Sequence, residues 1–259
     1  MKLVKSLIKN LLKSNFSIQI RNSLGIRPIQ MSIDNLNNIS VSDAFAWRTD
    51  NNFLTKFKYS DILNLFYKSK KSWVEFHFYS KDNQLIKIDK KEELNISNEI
   101  IINSDYLNGL KDYGTFYIYH YTKDKLEDKN IISNRCYLGY SQNQNLYSFV
   151  HGNTLAKFTK ISKDGDVKSD IVKTSFFLNH YYKIQKYLHG YDKNELFFSN
   201  PTSKTIKFKI YNNNYKLKKG CSLLVDVTDK KIVTIRSNCL FLRPTVFSYK
   251  NDFLDVHHS

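Results

Sequence analysis

Arginine is scarce in this 259-residue chain: six stand against 34 lysines, although together they bring the formal charge to +16 and the pI near 9.5. Proteins that grip phosphates or read bases lean on arginine, whose planar fork makes bidentate contacts. Alanine is reduced to Ala44, Ala46 and Ala156, while asparagine is abundant. Lysine and asparagine in excess over arginine and alanine is the bias of AT-rich coding. Much of the positive charge therefore reads as a diffuse background on wet faces, and nucleic acid is set aside as a partner. Three prolines and eight glycines leave the turns to Asn, Asp and Ser-Lys clusters. The three cysteines, Cys136, Cys221 and Cys239, are odd in number and lack metal-type spacing. They read as reduced thiols, the alternative being a Cys221–Cys239 disulfide in an oxidising compartment.

Other absences exclude whole classes. No apolar run approaches the 18 or so residues of a spanning helix, and lysines interrupt every apolar core near the start that a secretory signal would need. The expected location is cytoplasmic, or peripheral on the inner face of the cytoplasmic membrane. There is no GxGxxG, Walker loop, GxSxG, HExxH or CxxC. No spacing of Asp and Glu marks a general acid–base pair, so no reaction is named by the chain.

What is present favours strands. Eighteen Tyr and 18 Phe accompany many Ile and Thr, side chains that pack well on a pleated surface. From Ile39 onward the apolar period is two. Runs such as Ile39–Trp47, Phe53–Tyr59, Trp73–Tyr79, Thr115–Tyr121, Cys136–Tyr140, Leu146–His151, Ile171–Phe177, Thr205–Tyr211 and Leu242–Tyr249 alternate with turn clusters including Asn212–Asn214. The intervening helices of a βαβ fold are missing. Short helices are expected at Ser60–Tyr67, with Ser60 as N-cap and Ile62, Leu63 and Phe66 inward, and at Ser104–Leu110. The fold class expected is all-β, two packed antiparallel β-sandwiches behind a short amino-terminal amphipathic helix. The divisions are a basic helical segment over 1–30, one sandwich over 35–165 and a second over 166–259. The stretch Glu195–Tyr249 resembles an immunoglobulin-like half-sandwich, a likeness of fold and not of function.

Residues 1–13, MKLVKSLIKNLLK, carry the clearest helical period. Leu3, Val4, Leu7, Ile8, Leu11 and Leu12 form one stripe, with Lys2, Lys5, Lys9 and Lys13 on the other side. No acidic residue precedes Asp34. Such a helix suits an anionic membrane surface, with Lys2, Lys5 and Lys9 on headgroups and Leu7, Ile8 and Leu11 among acyl chains. The plainer alternative is a helix docked on the protein's own core.

Two constellations carry candidate chemistry. Asp43, Trp47, Arg48 and Asp50 bring a ring and forked polar partners together, and Arg135, Tyr137 and Asn153 offer a similar mix. Both suit a sugar, whose apolar face stacks on a ring while its hydroxyls take hydrogen bonds; the alternative for the first is a core Trp beside an internal Arg–Asp pair. The histidines His120, His151 and His258 end strands, and if they converged they would suit a divalent metal. His77, His180 and His189 read as surface or loop residues. The expected function is a non-catalytic binding or accessory module recognising a carbohydrate or anionic glycan precursor at the membrane, in surface-polysaccharide synthesis. The alternatives are an enzyme with a histidine-based site and, third, a nucleic-acid binder.

Overall fold

Alternation of bulky and polar residues becomes strand along most of the chain, and the outcome is an all-β fold. The computed structural model describes residues 8, 10–24, 38–126, 131–134, 136–152, 155–162, 167–169, 171–178, 180–184, 190–228, 232–240 and 242–258. The first strands are β1 (Ile39–Asp43), β2 (Phe45–Arg48), β3 (Phe53–Tyr59), β4 (Ser72–Ser80), β5 (Leu85–Lys91) and β6 (Asn98–Ile102). Then come β7 (Tyr113–Thr122), β8 (Ile131–Asn134), β9 (Tyr137–Gln142), β10 (Ser148–His151), β11 (Leu155–Lys160) and β12 (Val167–Ser169). The remainder are β13 (His180–Ile184), β14 (Lys193–Ser199), β15 (Ile206–Ile210), β16 (Asn213–Leu217), β17 (Ser222–Asp226), β18 (Val233–Ser237), β19 (Thr245–Lys250) and β20 (Phe253–His258).

Sheet β2-β7-β4-β5 faces sheet β10-β9-β3-β6 across a core rich in phenylalanine, including Phe45, Phe57, Phe76, Phe78 and Phe116. β1 and β2 are one bent strand broken at Ala44. β2 pairs with β7, whereas β1 leaves it to pair with β11 on one side and, in parallel, with β8 on the other. Where they part, the buried hydroxyls of Ser42 and Ser40 accept hydrogen bonds from the amides of Ile118 and His120, each at 2.9 Å. The hydroxyls replace ladder carbonyls, so buried N–H groups stay satisfied.

β13-β18-β15-β16 and β17-β14-β19-β20 make a second pair of sheets around Leu196, Phe198, Phe208, Ile210 and Val246. Ile206, Phe208 and Ile210 point inward and Lys207 and Lys209 outward, as alternation requires. Residues facing the other way, Phe197, Phe247, Leu254 and Val256, join the first core. The sheet β17-β14-β19-β20 is thus buried on both faces and shared. Four strands lie in each sheet, with β19 beside β14, in place of the four-plus-three arrangement of immunoglobulin constant-type domains. β12 still pairs with β11, so pairing of the first unit reaches Ser169, past the expected division at 165.

Local expectations fare unevenly. Of Ile171–Phe177, expected as a strand, only Thr174 makes a ladder contact, with Cys239. Asn213 and Asn214, expected in a turn, begin β16, because the β15 edge supplies a partner. The short helix is α2 (Ile62–Tyr67), after α1 (Asn15–Leu24) at the amino terminus. Asp61, not Ser60, caps α2 by accepting from the Asn64 amide at 3.1 Å, and Phe66 faces solvent while Leu63 is buried. Ser104–Leu110 shrinks to a single 3-10 turn at Asp105–Leu107. The three cysteines are free thiols, two of them buried. No described helix is long and apolar enough to cross a membrane.

Candidate binding cleft and aromatic face

Arg48 leaves β2 fully buried and meets the second unit. Its Nε and Nη2 donate to the two carboxylate oxygens of Asp50 at 2.9 and 2.6 Å. Nη1 donates to Glu195 Oε2 at 2.8 Å and to the Tyr249 hydroxyl at 3.0 Å. The guanidinium lies 4.1 Å from the Phe53 ring centre and 4.9 Å from that of Phe247. Burial alone pulls the Arg48 pKa down, yet Asp50, Tyr249 and Glu195 outweigh it and the net shift is upward. Burial likewise pushes Glu195 up, but Arg48, Lys193 and Tyr249 hold its carboxyl at about 2. Trp47 is enclosed too: its indole donates to the Tyr79 carbonyl at 2.9 Å and its ring lies over Gly114, where a Cβ would stand 2.8 Å from it. Asp43 is fully buried. Of the first sugar-type constellation, then, the Trp47 ring offers no open face and the Arg48 fork is spent on internal partners. The physical reason is that Trp47 lies across its own sheet, over Gly114 to the Tyr79 carbonyl, while the shared sheet brings Glu195 and Tyr249 to Arg48.

Asp50 links that anchor to a cleft. The β2–β3 turn (residues 49–52) and the β9–β10 turn lie side by side and are stitched by amides. Asn52 Nδ2 donates to Asn143 Oδ1 at 3.1 Å, Gln142 Nε2 to the Asn51 carbonyl at 3.1 Å, and Asn51 Nδ2 to Asp50 at 3.2 Å. Asn51, Asn52, Asn143 and Gln144 are all left-handed, with φ of 47°, 61°, 53° and 62°, a region that asparagine tolerates and that marks functional loops when the surroundings hold it. Between these turns and Asn103, Ser104 and Lys111 opens a cleft of about 510 Å³. A carboxamide both donates and accepts, so the lining matches a ligand whose groups do the same. Among the described lining residues Lys111 brings an amino group, suited to an anionic substituent.

Leu54 carries the cleft onto the outer face of β10-β9-β3-β6. Along β3, Leu54, Lys56 and Lys58 share that face. Lys56 is level with Gly139 and Phe149, and Lys58 with Tyr137 and His151. The Phe149 ring lies flat on Gly139, where a Cβ would sit 2.6 Å from it, so the missing side chain is what lets it lie down. Tyr137 is 61% exposed and Phe149 44%. Lys56 Nζ stands 4.9 Å over Tyr147, and Lys58 Nζ 5.3 Å over Phe149. Tyr137 alone was legible in the sequence. The cleft asparagines look like ordinary turn residues until two distant turns meet. Arg135 and Asn153 lie outside the described residues.

The histidines do not converge. His151 and His258 pair, with ring centres 4.6 Å apart, and His258 Nε2 contacts the His151 carbonyl. Burial lowers the His258 pKa to about 4. His120 is fully buried beside Val74 on the inner face of β7. Among the described residues no group of three His, Cys, Asp or Glu is placed to hold a metal. Three strand-end histidines belong to three different strands, and sharing a strand position does not bring them to one place. His77, expected at the surface, is buried beneath β11, with Glu75 at 3.2 Å and Tyr119 edge-on. Lys157 of β11 lies 4.5 Å over Tyr117 and is lowered to about 8, by burial first and by Lys219 second.

At the amino terminus residues 10–13 and α1 are helical. Ile8, Leu11, Leu12, Phe16, Ile20 and Leu24 are all exposed, Phe16 by 73%. The stripe thus continues beyond residue 13 and, over the described residues, turns to solvent instead of docking on the core. Lys2, Lys5, Leu7 and Lys9 lie outside the described residues. Comparison with family models, with curated proteins and with solved structures finds no match to this chain.

Proposed function

We propose that this chain is a non-catalytic binding module that takes a carbohydrate or anionic glycan precursor at the inner face of the cytoplasmic membrane, as an accessory in surface-polysaccharide synthesis. The observation that carries the reading is the amide-lined cleft opening onto a flat aromatic face. Asn51, Asn52, Asn103, Asn143 and Gln144 supply paired donors and acceptors for hydroxyls. Phe149 and Tyr137 supply ring faces for the apolar side of a sugar, and Lys111 supplies charge for an acidic group. The Arg48–Asp50 anchor holds the turns in place, so little ordering accompanies binding. The exposed apolar stripe of α1 supports the membrane placement.

The test is a glycan array followed by calorimetry on the hits. Binding is expected, and Asn143→Ala and Tyr137→Ala are each expected to weaken it about tenfold, as loss of one good hydrogen bond or one stacked ring implies. An array at background, or hits untouched by both substitutions, removes the proposal. Retention of random single-stranded DNA at high salt, lost in Tyr137→Ala, also removes it and assigns the aromatic face to nucleic acid.

A further inference from the structure

The outer face of sheet β13-β18-β15-β16 is cationic without relief. Lys183, Arg236, Lys207, Lys209 and Lys216 point outward, and none of the four strands carries an Asp or Glu. Across the ladder Lys209 stands opposite Arg236, and Lys207 opposite Lys216. Like charges directly opposite one another destabilise a sheet. The arrangement is favourable only against a surface that brings negative charge. Lysine drift accounts for scattered lysines; it does not account for an arginine here, one of six in the chain.

Apolar groups border this face. Phe176 and Phe177 are adjacent and 72% and 60% exposed. Their backbone is pinned: the Ser175 amide donates to the Asn238 carbonyl at 2.6 Å, Asn238 Nδ2 to the Ser175 carbonyl at 3.0 Å, and Ser175 Oγ to the Phe177 carbonyl at 2.8 Å. Asn238 also accepts from the Lys207 amide at 2.8 Å, and Arg236 reaches the Leu178 carbonyl. On the other side the Phe176 amide donates to the Ser23 carbonyl of α1 at 2.7 Å. A basic sheet, a fixed pair of phenylalanines and the end of an amphipathic helix are therefore contiguous. A water-soluble polyanion matches the first of these alone, while an anionic bilayer offers phosphate for the cations and hydrocarbon for Phe176, Phe177 and the stripe.

We propose that this composite face docks the protein on an anionic lipid surface, the sheet supplying charge and the Phe176–Phe177 loop and α1 supplying insertion. The inference rests on the membrane placement above and names the surface that achieves it. The experiment is co-sedimentation of the full chain with phosphatidylcholine vesicles with and without phosphatidylglycerol, at low and high salt. Selective binding to the anionic vesicles is expected, and it weakens as salt screens the attraction. Each basic residue near such a surface contributes about fivefold in affinity, so Lys207→Gln/Lys209→Gln/Arg236→Gln is expected to lose about 100-fold. Phe176→Ser/Phe177→Ser is expected to abolish the part of binding that survives high salt. If Leu11→Ser/Phe16→Ser abolishes binding while the sheet variant binds within twofold of wild type, the membrane placement stands and the docking face is overturned. Absence of vesicle binding by the wild-type chain overturns both. Because the salt series needs no variant, a folding defect in either substitution leaves the outcome readable.

Discussion

His120 illustrates how a residue's type and its position part company. Its strand partner faces, Phe116 and Ile118, are readable from alternation along β7, and the structure keeps all three on one side. What alternation does not carry is the depth of that side. The ring is fully buried, neither nitrogen has a hydrogen-bond partner among the described residues, and burial lowers its pKa to about 4. A group whose folded pKa lies below its unfolded one contributes stability that is present above about pH 6.5 and lost as pH falls towards 4. The loss amounts to about 3 kcal/mol, since each unit is worth about 1.4 kcal/mol. His120→Leu is expected to stabilise the protein by roughly 1–3 kcal/mol at neutral pH by removing an unsatisfied buried polar group. It should also flatten the stability profile between those pH values. Urea unfolding of both proteins across that range measures it; a destabilised variant contradicts the buried neutral ring.

At the scale of elements, the strands with one wet face were the legible ones. TIKFKIY announces β15 because Lys207 and Lys209 alternate with Ile206, Phe208 and Ile210, and the burial pattern repeats that alternation. β1 is buried at every position, and nothing in the run Ile39–Trp47 marks the break at Ala44 where it changes partners. The serines that make the break possible look like ordinary polar positions of an exposed face. Ser42→Ala is expected to cost about 1–3 kcal/mol, since the Ile118 amide would lose its acceptor in a buried place. A shift in the urea midpoint with unchanged slope measures it, and a cost under about 0.5 kcal/mol, the usual size for surface substitutions, would contradict the assignment. The period read over residues 1–13 meets helix at residues 8 and 10–13, the part of that run among the described residues, and α1 follows at Asn15–Leu24; which way the stripe faces depends on what lies beneath it.

For the whole molecule the deciding feature is the shared sheet. Phe197, Phe247, Leu254 and Val256 of the second unit complete the core of the first, and Arg48 binds Glu195 across the same junction. Arg48→Met takes from Asp50 and Glu195 the cation they share, leaving Glu195 its Lys193 contact, and breaking such a cluster costs about 3–5 kcal/mol. Glu195 is held at about 2 in the folded protein. Its contribution is present above the ordinary carboxylate pKa and lost as pH falls to about 2. The stability gap between wild type and Arg48→Met should therefore narrow as pH drops through that window. Unfolding by denaturant is expected to be a single transition in the wild-type chain, because the first core is completed by strands of the second unit. Two separated transitions would contradict the shared core.

By itself the sequence determined the class of this protein: many strands of period two, a cationic amphipathic start, and no motif that names a reaction. Alternation and composition are local properties, and each strand carries its own. Only the tertiary structure decided which residues meet. Two asparagine turns about ninety residues apart in sequence become one cleft, and of the most site-like pair in the sequence Trp47 is spent inside the first core and Arg48 on the junction. Scattered lysines line up opposite one another on a single sheet face. Such encounters follow from register and sheet order, which depend on every strand packing at once, and no local stretch of sequence holds that information.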